Sequence, residues 1–339
     1  MNRPTARVAE GSEAELVNLA RGGDREAFER LAAPHLRELH LHCYRMLGSL
    51  HEADDLVQET LLRAWRAVGR FEARSSVRTW LYRIATNACL NALAARPRRA
   101  LPSGLVPASD PLDPLPEPVL EPAWLEPYPD RLLDELDDPA ARYARRETIE
   151  LAFLAAIHLL PPRQRAVLLL RDVLDWSATE VAELLGTTTA SVNSALQRAR
   201  ASLGRWNDEG APIGPPTGEE RAILNHYLRA FERADVPALA RILADEVEMT
   251  MPPDPAWFRG RDDVMRFIEY RVFRVRGALV LESTAANRSP AVALYEQEAS
   301  GQTALSIQVL GVAGGLVERI NGFVGDELFP AFGLPTERS

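Results

Sequence analysis

Apolar residues recur at spacings of three and four through residues 11–97, with few prolines, and this periodicity predicts a run of helices. The pattern then breaks: nine prolines fall between Leu101 and Pro129, predicting an extended, surface-lying linker. Helical character resumes near Asp130 and continues to Trp206. A second break, NDEGAPIGPPTGEE, precedes a region of different texture. There, helical patterns at about 219–233 and 236–244 give way to strand-like runs: VEMTM, ALVLEST, VALYEQ, ALSIQVLGV and LVERINGFV. Helices followed by several antiparallel-looking strands predict a compact α+β domain. No internal repeat or heptad run is present.

Within the first region the segment from Asp54 to Asn87 changes character, from an acid-bearing helix to an arginine-, serine- and aromatic-rich stretch. On a helical wheel Val57, Leu61, Ala64, Trp65 and Val68 share an inward face, and Asp55, Glu59, Leu62, Arg63 and Arg66 oppose it. An apolar residue framed by charges suits protein docking, although any solvated helix can show the pattern. The loop GRFEARSSV follows, and then a helix, VRTWLYRIATNACLNAL. Its expected core face is Val77, Trp80, Leu81, Ile84 and Ala88, with Arg78, Thr79, Tyr82, Arg83 and Thr86 outward and Asn87 and Asn91 at the flank. Arginine neutralises phosphate, aromatics stack on bases, and asparagine bonds base edges. The competing reading is a solvated arginine face with Trp80 in the core.

SATEVAELLGTTTASVNSALQRARASL has the punctuation of a helix-turn-helix. Ser177 and Glu180 have capping-box spacing, and Gly186 suits a left-handed helix end. The second helix turns Val192, Leu196, Ala199 and Leu203 inward. It presents Ala190, Ser191, Asn193, Ser194, Gln197 and Arg198, types that fit a DNA groove.

Charge sharpens this picture once it is divided by segment. The net charge of −9 hides a stretch, residues 62–99, with nine arginines against Glu72 alone. Residues 101–145 carry −7 and 206–339 another −7. A polyanion feels clustered charge within a Debye length of about 8–10 Å, so the local excess matters more than the total. All 39 basic residues are arginine, and the two cysteines, Cys43 and Cys89, make no disulfide framework. The opening MNRPTARVAEGSEAEL lacks an apolar signal-peptide run, and no window has the ~18 apolar residues of a membrane span. A cytoplasmic protein without membrane contact is expected. HLRELHLHC lacks the spacing of a zinc set on one helix face, and no P-loop, dinucleotide fingerprint or nucleophile elbow appears, so neither metal nor cofactor is expected.

DDLVQETLLRAW followed by TWLYRIATN resembles region 2 of the sigma-70 family, in its extracytoplasmic-function (ECF) group. LPPRQRAVLLLRDVLDWS with the helix-turn-helix resembles region 4. The resemblance implies a sigma factor, not an enzyme, that binds core RNA polymerase through the β′ coiled coil and the β subunit. It implies a polymerase-binding set of Asp54, Asp55, Gln58, Glu59, Leu62 and Arg63. The promoter −10 element would be met by Arg70, Phe71, Arg74, Ser75, Ser76, Arg78, Thr79, Tyr82, Arg83, Thr86 and Asn87. The −35 element would be met by Arg163, Arg165, Ala190, Ser191, Asn193, Ser194, Gln197, Arg198 and Arg200, with Ala195 where many relatives have arginine.

The expected domains are 11–99 (region 2), 100–145 (a proline-rich acidic linker), 146–206 (region 4) and 217–335. The last resembles a SnoaL-like, NTF2-like α+β cone, which regulates sigma domains in cis in related factors. Met249, Met251, Trp257, Phe258, Tyr270, Phe273 and Tyr295 would line its pocket or serve as core, and a small-molecule ligand is a possible partner. Glu248 with Arg259, Arg261, Asp262 and Asp263 reads better as a charged loop than as an acid–base site. WLEPYPD in the linker is expected to be solvated by default, or to dock the third domain or enter the polymerase channel. Two alternatives stay open: a ligand-sensing helix-turn-helix regulator independent of polymerase, and a SnoaL-like cyclase or hydrolase fused to a DNA-binding module.

Overall fold

A computed structural model describes residues 12–73, 75–94, 99–119, 124–134, 149–204, 218–276 and 278–339. The chain divides into two compact units: residues through Leu47 with His51–Ala94, and Gly48–Leu50 with Ala95 onward.

The first unit is helical: α1 (Glu13–Arg21), α2 (Arg25–Ala32), α3 (Leu36–Leu47), α4 (Leu50–Ala67) and α5 (Val77–Ala94). Local chemistry sets the first boundaries. Ser12 and Glu15 close a capping box on α1, and the Asp24 carboxylate accepts from the Ala27 N–H to start α2. Leu39, Cys43, Met46, Ala53, Val57, Ala64, Leu81, Ala85 and Cys89 fill the core between the helices. Phe28 and Trp65 add a tilted aromatic pair with centroids 5.3 Å apart.

The second unit begins with the linker. Past α6 (Asp130–Asp134) come α7 (Leu151–His158), α8 (Pro162–Leu168), α9 (Ala178–Leu185) and α10 (Thr189–Leu203). α8 runs on through a π-helical turn, Leu169–Val173. The cone then adds α11 (Gly218–Glu232), α12 (Val236–Ile242), β1 (Leu243–Thr250), β2 (Trp257–Arg259), α13 (Arg261–Phe267), β3 (Leu279–Ala286), β4 (Ser289–Glu298), β5 (Gly301–Ala313), β6 (Leu316–Val324), α14 (Phe329–Phe332) and β7 (Glu337–Arg338).

The sheet order is β2-β1-β6-β5-β4-β3, with β7 paired to β5. The expected strand runs all fall on strands, but β1 pairs with β6 in parallel, where the sequence looked antiparallel throughout. The reason is topological: β1 and β6 are far apart in sequence, so no tight hairpin constrains their direction. One face of the sheet packs Met249, Val292, Leu294, Leu310 and Ile320 against Tyr227, Phe231, Val264 and Phe267 of the helices. The Tyr227 hydroxyl donates to Gln308 Oε1 at 2.7 Å within this core.

The expectation that WLEPYPD is solvated does not hold: Trp124, Leu125, Tyr128 and Asp130 are buried, whereas most of residues 104–118 are exposed, and the backbone at Val106, Ser109, Val119 and Tyr128 bonds to the cone. The Ser109 N–H donates to the Trp257 carbonyl at 2.8 Å, and the Val119 N–H to Pro253 at 3.0 Å. In return Trp257 Nε1 donates to the Val106 carbonyl at 2.8 Å, and Arg271 Nη2 to those of Leu112 and Asp113.

A buried histidine ties the first unit to pH. His42 Nε2 lies 2.9 Å from Thr86 Oγ1; burial first, and then Arg45 and Arg78, push the ring's pKa from 6.5 down to about 3. The folded ring is therefore neutral, while the unfolded chain takes up a proton below pH 6.5. Stability contributed by His42 is present above pH 6.5 and is lost as pH falls toward 3, at up to about 1.4 kcal/mol per unit. Thermal melts of the full chain from pH 7 to 4.5 should show the first unit losing stability, with a shallower acid limb in His42→Gln.

Candidate nucleic-acid and polymerase interface

α4 presents the expected outer face. Asp54, Asp55, Gln58 and Arg66 are exposed, and Leu62 stands 56% exposed among them. Glu59 and Arg63 are partly covered and pair at 2.6 Å. The Asp54 carboxylate lies 3.2 Å from His40 Nε2, and Asp55 lies 3.6 Å from His51 Nε2. The sequence places these residues one helical turn apart, so a leucine ringed by charge follows from the register alone.

α5 is rotated relative to expectation. Tyr82 and Thr86 point inward, 1% and 0% exposed, where an outward position was expected. Val77, Leu81, Tyr82, Ala85, Thr86, Ala88 and Cys89 form the buried face of the helix. The cause is the polar patch on the facing helix α3. Thr86 partners the buried His42, and the Tyr82 hydroxyl reaches the Glu38 carbonyl and Oε2, both at 3.4 Å. Arg78 is drawn in too: its guanidinium donates to both Glu38 oxygens at 2.9–3.0 Å and lies 4.9 Å from the Tyr82 ring centroid. Burial pushes the Glu38 carboxyl up, but hydrogen bonds from His35 and Arg78 outweigh it and hold the group below its usual range.

On α5 Arg83 and Asn91 are exposed, and Thr79, Trp80, Ile84 and Asn87 are partly exposed. Ser76 caps the helix by accepting from the Thr79 N–H at 3.1 Å. In the preceding loop Arg70 and Ser75 are exposed, whereas Phe71, expected at the strand-reading surface, is buried against Trp80 with centroids 4.8 Å apart. Arg74 lies outside the described residues, as do Arg96 and Arg98. Trp80, expected in the core, is partly exposed while it packs on Phe71. The signal lay in the sequence, because Tyr82 has a hydroxyl for the α3 patch and Trp80 does not.

The helix-turn-helix forms as expected. Ser177 Oγ accepts from the Glu180 N–H at 3.2 Å, Glu180 Oε2 accepts from the Ser177 N–H at 2.7 Å, and Gly186 takes φ 61°. Thr188 Oγ1 starts α10 by accepting from the Ser191 N–H at 3.1 Å. Ala190, Ser191, Asn193, Ser194, Gln197 and Arg198 are all exposed on α10. Arg200 is exposed but held by both Asp172 oxygens at 2.7 and 2.9 Å. Arg163 is exposed on α8.

Arg165 is the correction here: expected at DNA, it is 1% exposed. Its Nε donates to the Ile157 carbonyl at 3.1 Å and Nη2 to that of His158 at 2.9 Å. Those carbonyls end α7, where Ile157 also accepts from the Leu160 N–H at 3.0 Å, and a cation there meets the negative end of the helix dipole.

In the cone, Met249, Met251, Phe258 and Tyr295 are buried, Phe273 packs against the core, and Tyr270 is exposed. The Tyr295 hydroxyl donates to the Pro335 carbonyl at 3.0 Å. Arg259 pairs with Glu246 and Glu248 at 3.6–3.7 Å, Arg261 with Asp245 at 2.7 Å, and Arg266 with Asp263 at 3.5 Å. Among the described residues no three metal-ligating side chains converge, and no helix is long and apolar enough to cross a membrane.

A helical unit with a charged docking face, a helix-turn-helix and an appended α+β cone define a promoter-reading class of protein. The chain matches Sigma-70 region 2 over residues 31–99 and Sigma-70, region 4 over 150–203. It is 44% identical over 332 residues to ECF RNA polymerase sigma factor SigG of Mycobacterium tuberculosis, covering 97% of this chain and 88% of the relative. ECF RNA polymerase sigma factor SigM of the same organism is 33% identical over 196 residues, covering 58% of this chain and 85% of SigM. The crystal structure of Mycobacterium tuberculosis ECF sigma factor SigJ shares the fold, with TM-score 0.58 and 23% identity over 89% of this chain and 98% of SigJ. The chain belongs to the ECF sigma factors of the sigma-70 family. It directs transcription initiation, and its third domain is an α+β cone.

The two arginines separate by role. Arg165→Met should cost about 1.5–3 kcal/mol in chemical denaturation, because two helix-end carbonyls lose charged donors. Arg198→Ala should leave stability within about 0.5 kcal/mol and weaken promoter binding, flattening its salt dependence if it touches phosphate.

Proposed function

We propose that the exposed face of α4 grips core polymerase, that the loop before α5 and the outer face of α5 take the opened −10 strand, and that α10 reads the −35 major groove. The observation that carries this reading is Leu62, 56% exposed in a ring of charged and polar side chains on α4. An apolar centre with a polar rim is the anatomy of a binding hot spot. The β′ coiled coil and β subunit are the proposed contacts, in the cytoplasm where related sigma factors meet polymerase.

Arg70, Ser75, Ser76, Thr79, Arg83 and Asn87 supply phosphate and base-edge chemistry for the −10 strand, with Trp80 as the stacking ring. Phe71, Arg78, Tyr82 and Thr86 act through the fold, by holding the loop and α5 in register. Ala190, Asn193, Ser194, Gln197 and Arg198 face the −35 groove, where small residues permit close approach. The cone modulates these domains in cis through its surface bonds to the linker. No catalysis is assigned to it: the charged residues expected near β1 and β2 are engaged in ion pairs.

Leu62→Asp places a charge at the proposed hot spot without disturbing the core. It should weaken binding to core polymerase at least ~10-fold and remove promoter-specific transcripts in vitro, with an unchanged melting temperature. Wild-type transcript levels and core affinity in this variant would contradict the docking assignment.

A further inference from the structure

The hairpin between β3 and β4 reaches out of the cone. Ala286 pairs with Ser289, leaving a two-residue turn, Asn287–Arg288, at φ 56° and 58°. Such turns match the twist of their strands, and glycine is the usual second residue. An arginine there is disfavoured by its Cβ, so its surroundings must hold it. They do: the Arg288 N–H donates to Asp130 Oδ1 at 2.8 Å, and its guanidinium lies 3.6 Å from Asp130 Oδ2.

Asn287 does more. It is fully buried, and its carboxamide spends both ends outside the cone's own sheet. Oδ1 accepts from the Tyr128 N–H at 2.8 Å, and Nδ2 donates to the Ile149 carbonyl at 2.7 Å. The Asn287 N–H in turn donates to the Tyr128 carbonyl at 2.9 Å, and Pro129 bridges to Ala286. One side chain therefore joins the end of the linker to the residue two positions before α7, where the −35-reading domain begins.

Tyr128 and Ile149 are 21 residues apart. An unconstrained chain of that length spans on the order of 25 Å. With both ends on one carboxamide, the distance from linker to second domain is set by hydrogen-bond lengths instead.

We infer that Asn287 is a positioning residue that fixes the reach of the second promoter-reading domain, and so restricts the spacing between −10 and −35 elements that the protein accepts. This rests on the assignment of the two DNA-reading surfaces above. It goes beyond that assignment by giving a residue of the cone, which touches no DNA, a part in promoter choice.

The test is transcription in vitro by the full chain with core polymerase, on promoters whose spacer is shortened or lengthened by one or two base pairs. The main variant is Asn287→Gly, because glycine tolerates the positive φ and keeps the backbone bond to Tyr128 while removing the carboxamide. Wild type should show a sharp spacer optimum. The variant should gain up to about tenfold on off-optimum spacers relative to the optimum, the shift that two ordinary hydrogen bonds support.

Asp130→Ala releases the turn from the linker side without altering the cone's sheet, and should broaden the profile in the same direction. An unchanged profile in both variants, or an equal loss at every spacer, would overturn the inference. A wild type insensitive to the −10 and −35 sequences would instead sink the assignment beneath it.

Discussion

Buried peptide groups must find hydrogen-bond partners, and the linker of this protein takes part of its set from the cone. Nine prolines in 29 residues, from Leu101 to Pro129, remove donors and forbid a helix. Three of the donors that remain are satisfied by the cone, Ser109 at Trp257, Val119 at Pro253 and Tyr128 at Asn287, while others bond locally, as Gly104 does to Leu101 and Asp113 to Asp110. This exchange ties the linker to the third domain. The cone's own core, packed around Met249, Leu294 and Leu310, serves as the rigid body on which the linker lies.

The same rule of satisfaction reorders the first unit. α5 would place Trp80 inside if apolar burial alone decided. Instead α3 offers Glu38 and the buried His42, which need partners, and Tyr82, Thr86 and Arg78 meet them. Polar requirements inside a core can override a modest preference among apolar side chains. The rotation leaves Arg83 exposed beside partly exposed Thr79, Trp80 and Asn87, the face proposed above for the opened strand.

Much was legible in the sequence. The helix-turn-helix was readable because capping and glycine chemistry are local: Ser177, Glu180, Gly186 and Thr188 each act within a few residues. The charged, leucine-centred outer face of α4 followed from helical register, and the five strand runs from alternation. Features that depend on distant partners were not readable. Arg165 matches a DNA-contacting pattern, yet it serves the end of α7. Phe71 sits in a loop whose composition suggests exposure, yet stacks under Trp80. WLEPYPD read as solvated because a partner such as Asn287 lies more than a hundred residues away. Each miss is a tertiary partner absent from the local pattern.

The central claim is that the cone holds the linker in the free protein. Amide hydrogen exchange of the full-length chain tests it directly, through peptides spanning residues 124–131 and the β3–β4 hairpin. The account predicts protection of the 124–131 amides comparable to that of the hairpin, because Tyr128 and its neighbours open only when the contact to Asn287 opens. Exchange of 124–131 at the rate of an unstructured chain, beside a protected hairpin, would contradict it.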